Sequence, residues 1–277
     1  MRQAAFAYLC DMRYFLEVTY DGTRFHGWQL QPNALTVQEI LDDCLRKVFR
    51  VPLVETVGSG RTDTGVHATQ QWVHVDLPQV LPSAEIQHKL NRILPPDISI
   101  GQVFPVGPEA HTRFDAISRT YEYRITLQKN PFLVRHAYYL SRTPDVTQMN
   151  EAAQVLLQLE DFTTFSKVKG DTKHYRCTIT QAYWREEGNQ LIFTIKANRF
   201  LRGMVRLVVG TLLDVGKGKL TVAQFRTLIE RQDRSLSSGA APAEGLFLHR
   251  VEYPKGYFEQ QQALFEQAAA LMPKENE

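Results

Sequence analysis

The chain has 277 residues, of which 43% are hydrophobic and 22% charged, and its formal net charge is only +2. That length suits one large domain or two ordinary ones with a sizeable core, and the composition excludes a disordered, collagenous or low-complexity protein. Near-neutrality means that any strong electrostatics must be local. The three cysteines, Cys10, Cys44 and Cys177, are far apart, make no metal-ligand pattern and suit buried thiols in a reducing cytoplasm. No apolar run is long enough to span a bilayer, so no membrane association is expected. The apolar piece in residues 1–11 is too brief for a signal peptide, and Met12 opens the first clear strand. Residues 1–11 therefore read as an extension with little structure.

From Met12 onward the elements follow in a regular order. Residues 14–20, "YFLEVTY", read as a strand rich in aromatic and β-branched residues. After the loop "DGTRFHGWQLQPN", Thr36 begins a helix with Glu39 three residues on. Val37, Ile40, Leu41, Leu45, Val48 and Phe49 keep one face apolar to about Arg50. A short strand near 53–57 leads into a Gly-rich loop, and "QQWVHVDL" (70–77) is a strand. Ser83 then caps a helix that Pro95-Pro96 stops, and 98–106 is a strand. The order is β-α-β-β-α-β. The second half repeats it. Residues 119–127 form a strand, with an extended piece near 136–140, and 145–159 a helix. Residues 177–186 and 190–198 form a hairpin around Glu187-Gly188-Asn189. A helix spans 199–215, another follows Thr221, 246–253 is the last strand, and 257–271 a terminal helix. The expected fold class is α+β, with two ferredoxin-like halves and a mostly antiparallel sheet. No residue-level repeat accompanies that topology. Such sheets often bind RNA, although the aromatic signature of RRM domains is absent.

The stretch "VGSGRTDTGVHATQQWVHVD" (57–76) is chemically distinctive. A single carboxylate, Asp63, sits among three glycines, with Arg61 and His67 close by. The dinucleotide fingerprint fails, because Asp63 stands where a third Gly belongs, and no Lys-Ser/Thr pair completes a phosphate loop. Either Asp63 caps a turn or it performs chemistry. His67 and His74 have no third ligand at metal spacing. Arg199, Arg202 and Arg206 fall at i, i+3 and i+7 of the expected helix, a charged stripe opposite Phe200, Met204, Leu207 and Val208. Tyr121 and Tyr123 share one face of their strand.

An ordered set of strings resembles the TruA family of tRNA pseudouridine synthases. It comprises "GRTDTGVHA" (60–68), "YDGTRFHGWQ" with Gln31, "TVQ" at 36–38, and "LN-IL-PDI" at 90–98. It continues with "HTRFDA" (111–116), "R-Y-Y" (119–123), "FL-GMVRLVVGTLLDVG-G" (200–218) and "AP-EGL-L--VEY" (241–253). The resemblance runs from Met12 to Tyr253. It implies the pseudouridine-synthase type of fold, in two domains: 12–110, carrying the Asp loop, and 111–277, carrying the site Tyr and Arg. It also implies conversion of uridine to pseudouridine at positions 38 to 40 in the anticodon stem-loop of tRNA, by a homodimer, with no metal and no cofactor. The N1–C1′ bond breaks, the base turns, and C5 bonds to C1′. Asp63 matches the essential carboxylate, which acts as nucleophile or proton-transfer group. Arg206 matches its ion-pair partner, which favours the charged carboxylate. Tyr121 matches the aromatic that stacks on the target base.

Further roles follow from the same resemblance. Arg61, Thr62, His67 and Leu246 would join Tyr121 in binding the substrate nucleotide, with Arg61 wedging the flipped position. Arg24, His111, Thr112, Arg113, Phe114, Lys167, Lys169, Lys173, Arg176, Arg199 and Arg202 would contact RNA. From Lys167 to Arg206 nine basic residues face three acidic ones, and Arg113, Arg119 and Arg124 add to the bias, which suits a polyanion. A base stacked in a stem-loop must be extruded to reach a carboxylate, at a cost of a few kcal/mol. The chain departs from the family's Phe-His-Ala-Arg-Phe, with Ala110-His111-Thr112-Arg113-Phe114, and lacks its Arg-Thr pair near 167–178. One rival reading is a non-catalytic tRNA-binding module or chaperone of the same fold. A glycosidase is another, but it normally needs a second acid, which these motifs do not supply.

Overall fold

A computed structural model describes residues 12–166 and 174–270. The expectations for residues 1–11 and for Lys167, Lys169 and Lys173 fall outside the described residues. The chain packs as two units. Among the described residues, the first comprises 12–61, 68–117 and 251–270, and the second 62–67, 118–166 and 174–250. This division differs from a single boundary at 110. The six residues that include Asp63 pack with the second unit, and the C-terminal helix returns to the first.

The first unit contains β1 (Met12–Tyr20), α1 (Val37–Phe49), β2 (Val57–Gly58), β3 (His67–Leu77, from Ala68 on), α2 (Ser83–Ile93), β4 (Ile98–Pro105) and the terminal helix. Its sheet runs β4-β1-β3-β2 and every pairing is antiparallel, the ferredoxin-like order. β2 is shorter and later than expected, because Val54 and Thr56 are buried outside any strand and Thr56 is tied to α1 instead. Thr36 caps α1 by accepting from the Glu39 N–H. α2 differs from expectation. Pro82 is its N-cap without a side-chain bond, and Ser83 is already helical. Leu16 pairs with Val73 on one side and Val103 on the other. They share a buried face with the apolar stripes of α1 and α2, including Leu41, Leu45, Ile86 and Leu90. Phe15, Trp72 and Phe104 occupy the opposite face by strand alternation. There Phe258 of the terminal helix stacks on Phe104 with centroids 4.4 Å apart and lies 5.1 Å from Trp72.

Burial of one acid in this unit has a measurable consequence. Asp42, on α1, accepts from the Thr56 hydroxyl at 2.6 Å and the Thr56 N–H at 3.2 Å. Burial nevertheless pushes its pKa up from 3.8 to about 6, with those hydrogen bonds opposing the shift. A folded-state pKa above the unfolded value means that the native state binds the proton more tightly. Its contribution to stability is therefore full below pH 3.8 and lost as pH rises through about 6. Asp42→Asn keeps an acceptor for Thr56 and removes the titration. It should raise the melting temperature at pH 8, by an amount on the order of 3 kcal/mol of stability, and leave it unchanged near pH 3.5. Equal melting shifts at both pH values would sink this account.

The second unit contains β5 (Ser118–Thr126), β6 (Tyr138–Tyr139), α3 (Val146–Val155), β7 (Ile179–Glu187), β8 (Gln190–Ala197), α4 (Met204–Gly216), α5 (Val222–Glu230) and β9 (Leu246–Glu252, to Arg250), besides 62–67. Its sheet runs β9-β5-β8-β7, again the ferredoxin-like order, with β6 adding a short parallel pairing on β5. Gly188, at φ +57°, sits in the two-residue β7–β8 turn. Asp145 caps α3, and Thr221 with Gln224 forms a reciprocal capping box on α5. α3 latches onto the edge strand through side chains: Asn150 bonds both backbone groups of Trp184, at 2.7 and 3.2 Å, and Gln154 donates to Ala182 O at 3.0 Å. α4 is buried along most of its length. Among the described residues, no helix is long and apolar enough to cross a membrane.

Candidate active site

Asp63 lies in a turn closed by the Val66 N–H donating to its carbonyl at 3.1 Å. Gly65 holds φ +76°, and a Cβ there would press on Ala243. This glycine serves the turn that aims Asp63. Gly58 serves packing in the first unit, where a Cβ would run into Gln71 and Trp28, whereas at Gly60 a Cβ would meet nothing within 4 Å. The loop's three glycines thus have three different relations to their surroundings.

The second unit brings Asp63 together with Arg202, Arg206 and Tyr121. Arg206 Nη1 lies 4.0 Å from Asp63 Oδ2, and Arg202 Nε 3.9 Å from Oδ1. Both separations exceed hydrogen-bond distance, so the guanidinium groups act on the carboxylate through charge. They differ in anchorage. The Arg206 side chain is 19% exposed and donates through Nε to the Ala241 carbonyl at 2.6 Å, while that of Arg202 is 77% exposed. The Ala241 N–H in turn donates to Arg206 O at 2.9 Å. A fixed, half-buried cation is screened less than an exposed one, so Arg206 dominates.

The helix carrying Arg206 starts later than periodicity suggests. Gly203 adopts φ +71° and caps α4, so Arg199 and Arg202 precede the helix and the expected Arg199–Arg202–Arg206 stripe does not exist. The left-handed residue breaks the apolar period between Leu201 and Met204. It also turns the chain so that Arg202 and Arg206 reach one carboxylate from different backbone conformations.

The two strand tyrosines separate cleanly. Tyr123 is fully buried and donates its hydroxyl to Pro242 O at 2.9 Å, a core role. Tyr121 packs edge-on against Phe200, with centroids 5.1 Å apart and planes at 90°. Burial pushes its pKa up to about 12, with Arg119 lowering it and Asp63 raising it. Its phenol is therefore neutral near pH 7, and the Asp63 contribution places the two groups in one electrostatic neighbourhood. Sequence reasoning missed Phe200 as the ring that holds Tyr121, and the Ala241 carbonyl as the acceptor that holds Arg206. The "FL" and "AP" strings were the only signals for them.

The remaining expected residues distribute as follows. Thr62, His67 and Leu246 are buried in the second unit. The His67 ring stacks on Phe247 at 4.5 Å and lies 5.2 Å from that of His136. In the first unit, Arg61 is exposed, and Arg24 pairs with Asp97 while its guanidinium sits 4.5 Å from the Phe25 ring centre. The His111 ring lies 4.2 Å from that of the exposed Phe114, and Arg113 is 5.7 Å from the same ring. Thr112 corrects its expected role as a direct RNA contact: it is fully buried, and its hydroxyl donates to Val57 O at 2.8 Å. His74 bonds that hydroxyl at 3.0 Å, and burial lowers the His74 pKa to about 4, leaving a neutral structural imidazole. Arg176 is exposed, and Arg199 Nη1 lies 3.2 Å from His174 Nε2. Part of the basic excess is consumed by folding, since Arg124 and Arg185 both pair with the buried Glu122, at 3.2 and 2.8 Å.

The family model described as tRNA pseudouridine synthase matches residues 17–115 and 152–254, which include the Asp63 turn and the start of α4. The chain belongs to this family. The "tRNA pseudouridine synthase A" of Bacteroides thetaiotaomicron is 49% identical over 252 residues, covering 90% of this chain and 93% of that protein. The protein of the same name from Bacteroides fragilis is 48% identical over 249 residues, 89% of this chain and 98% of its own length. The one from Anoxybacillus flavithermus is 37% identical over 237 residues, 85% and 96% of the two chains. Membership makes the chain an isomerase that acts on tRNA, and its fold is that of the pseudouridine synthases.

Proposed function

We propose that the chain isomerises uridine to pseudouridine at positions 38, 39 and 40 of the anticodon stem-loop of tRNA, with Asp63 as the essential carboxylate. The observation that carries this reading is the convergence of Asp63, Arg206 and Tyr121 within the second unit. The reaction breaks N1–C1′, rotates the base and joins C5 to C1′. The C5 hydrogen is lost as a proton and N1 gains one, so no electrons leave and no redox partner is consumed. One carboxylate beside a fixed guanidinium is suited to act on the flipped nucleotide. Tyr121 offers its neutral ring to the base, and Thr62, His67 and Leu246 form the packed wall behind Asp63. Arg61 acts as the wedge at the vacated position. Arg24, His111, Arg113, Phe114, Arg176, Arg199 and Arg202, with Lys167, Lys169 and Lys173, track the RNA, and Thr112 braces the 111–114 turn. The protein works in the cytoplasm as a homodimer in this reading.

Tyr121 supplies a graded test. Tyr121→Phe keeps the ring and its edge-on contact with Phe200, and should retain most turnover. Tyr121→Ala removes the stacking surface and should lower kcat/KM by roughly 10- to 100-fold, the worth of one base–aromatic stack. Tritium release from tRNA labelled at uridine C5 reads both. Loss of equal size in the two variants would show that the hydroxyl, not the ring, is what matters.

A further inference from the structure

The loop between β5 and β6 supplies none of Asp63, Arg206 and Tyr121, yet it is built to present an aromatic ring. Phe132 is 89% exposed and Val134 66%. A solvated Phe at the tip of a flexible loop would be ordinary, but this loop is ordered by its own hydrogen bonds. Asn130 Oδ1 accepts from the Phe132 N–H at 2.9 Å, Asn130 O from the Leu133 N–H at 3.1 Å, and Leu133 O from the His136 and Ala137 N–H groups, each at 2.9 Å. Its entry is pinned by the Thr126 hydroxyl donating to Gln128 O at 2.8 Å and by Asn189 donating to the Gln128 side chain at 2.7 Å. Its exit is pinned by the β5–β6 pairing and by the His136 ring, 5.2 Å from that of His67. His67 closes the six-residue segment that carries Asp63, so the loop is anchored beside that segment within the same unit.

Charge selects the occupant. From residue 125 to 144 the chain has no acidic residue, while Lys129, Arg135 and Arg142 are all exposed. A second copy of this chain packed loop against loop on a two-fold axis would set these cations against themselves. A polyanion with exposed π-faces satisfies both the cations and the ring. We infer that the 129–136 loop is a second RNA-binding element, in which Phe132 stacks on an unpaired base of the tRNA substrate while Lys129 and Arg135 contact its backbone. This inference rests on the tRNA reading above and adds to it a site outside the reaction centre.

The test compares wild type with Phe132→Ala, Phe132→Trp and the double change Lys129→Ala/Arg135→Ala, each checked by thermal melting. Unmodified tRNA is the ligand, with affinity measured across a salt series and turnover by tritium release. Phe132→Ala should weaken tRNA binding roughly tenfold, the loss in kcat/KM falling mainly on KM, and Phe132→Trp should restore it. The double change should lower the slope of log affinity against log salt by about 1 to 2. Unchanged affinity in Phe132→Ala would overturn the inference while leaving the enzyme reading intact. A change in sedimentation without a change in affinity would assign the loop to a second copy instead and would also overturn it. Wild type that neither binds nor converts tRNA would overturn both readings together.

Discussion

Asp63→Asn is expected to abolish tritium release from tRNA labelled at uridine C5, to below about one-thousandth of the wild-type rate. The amide is nearly isosteric, so the turn held by Gly65 and the Val66 N–H should persist. What disappears is the charge beside Arg202 and Arg206 and the only carboxylate that the turn presents. Binding should survive and even tighten slightly, because a negative charge facing phosphate is removed while two cations stay. Arg61→Ala should behave in the opposite way, with weaker binding, a smaller salt slope and residual turnover at high tRNA. A residual rate within tenfold of wild type in Asp63→Asn would make the residue a turn-former and return the chain to the class of binding modules. Parallel binding losses in both variants would likewise contradict the division of labour.

Gly210→Ala should be the most damaging conservative substitution outside the site. Gly210 lies in the middle of α4, where alanine is intrinsically favoured over glycine by about 1 kcal/mol. Here a Cβ would overlap the carbonyl oxygen of Gly239, a backbone atom that cannot rotate away. Residues 239–241 would have to lift from the helix, and Ala241 makes both bonds that hold Arg206, through its carbonyl at 2.6 Å and its N–H at 2.9 Å. The variant should lose about 1–3 kcal/mol of stability through overpacking. Its kcat should also fall at temperatures where it remains folded, because the guanidinium loses its acceptor. Gly239→Ala is the matched control, since a Cβ there meets nothing within 4 Å. If Gly210→Ala melted and turned over like wild type, the close approach of α4 to residues 239–241 would not be what positions Arg206.

Much of this was legible in the linear chain, and the exceptions have physical causes. The two βαββαβ halves followed from alternation, periodicity and turn residues. Those signals are local, and Thr36, Thr221 and Gly188 act where local chemistry places them. The start of α4 was misjudged because Arg199–Leu201 continues a helical period that Gly203 interrupts. A single left-handed residue has no signature in periodicity when its neighbours fit the wheel. The choice between Tyr121 and Tyr123 was open from alternation alone. Pro242, more than a hundred positions away in sequence, accepts from the Tyr123 hydroxyl and ties that ring into the core, a difference that alternation does not carry. The charge excess was overestimated for Arg124 and Arg185, since composition cannot show that both converge on buried Glu122. The Asp63, Tyr121 and Arg206 set was named from its surrounding strings, and the fixing of Arg206 by Ala241 emerged only in three dimensions.

The assignment of residues 62–67 to the second unit has a consequence for biosynthesis. The carboxylate is translated about 140 residues before the arginine that partners it, so closing that contact is a late, long-range event. A nascent chain that ends between Asp63 and α4, like the N-terminal fragment of a chain cut there, carries the acid without its counter-charge. On the proposed reading of the site, such a product should not convert uridine. The pairing of acid and guanidinium thus waits for the synthesis of α4.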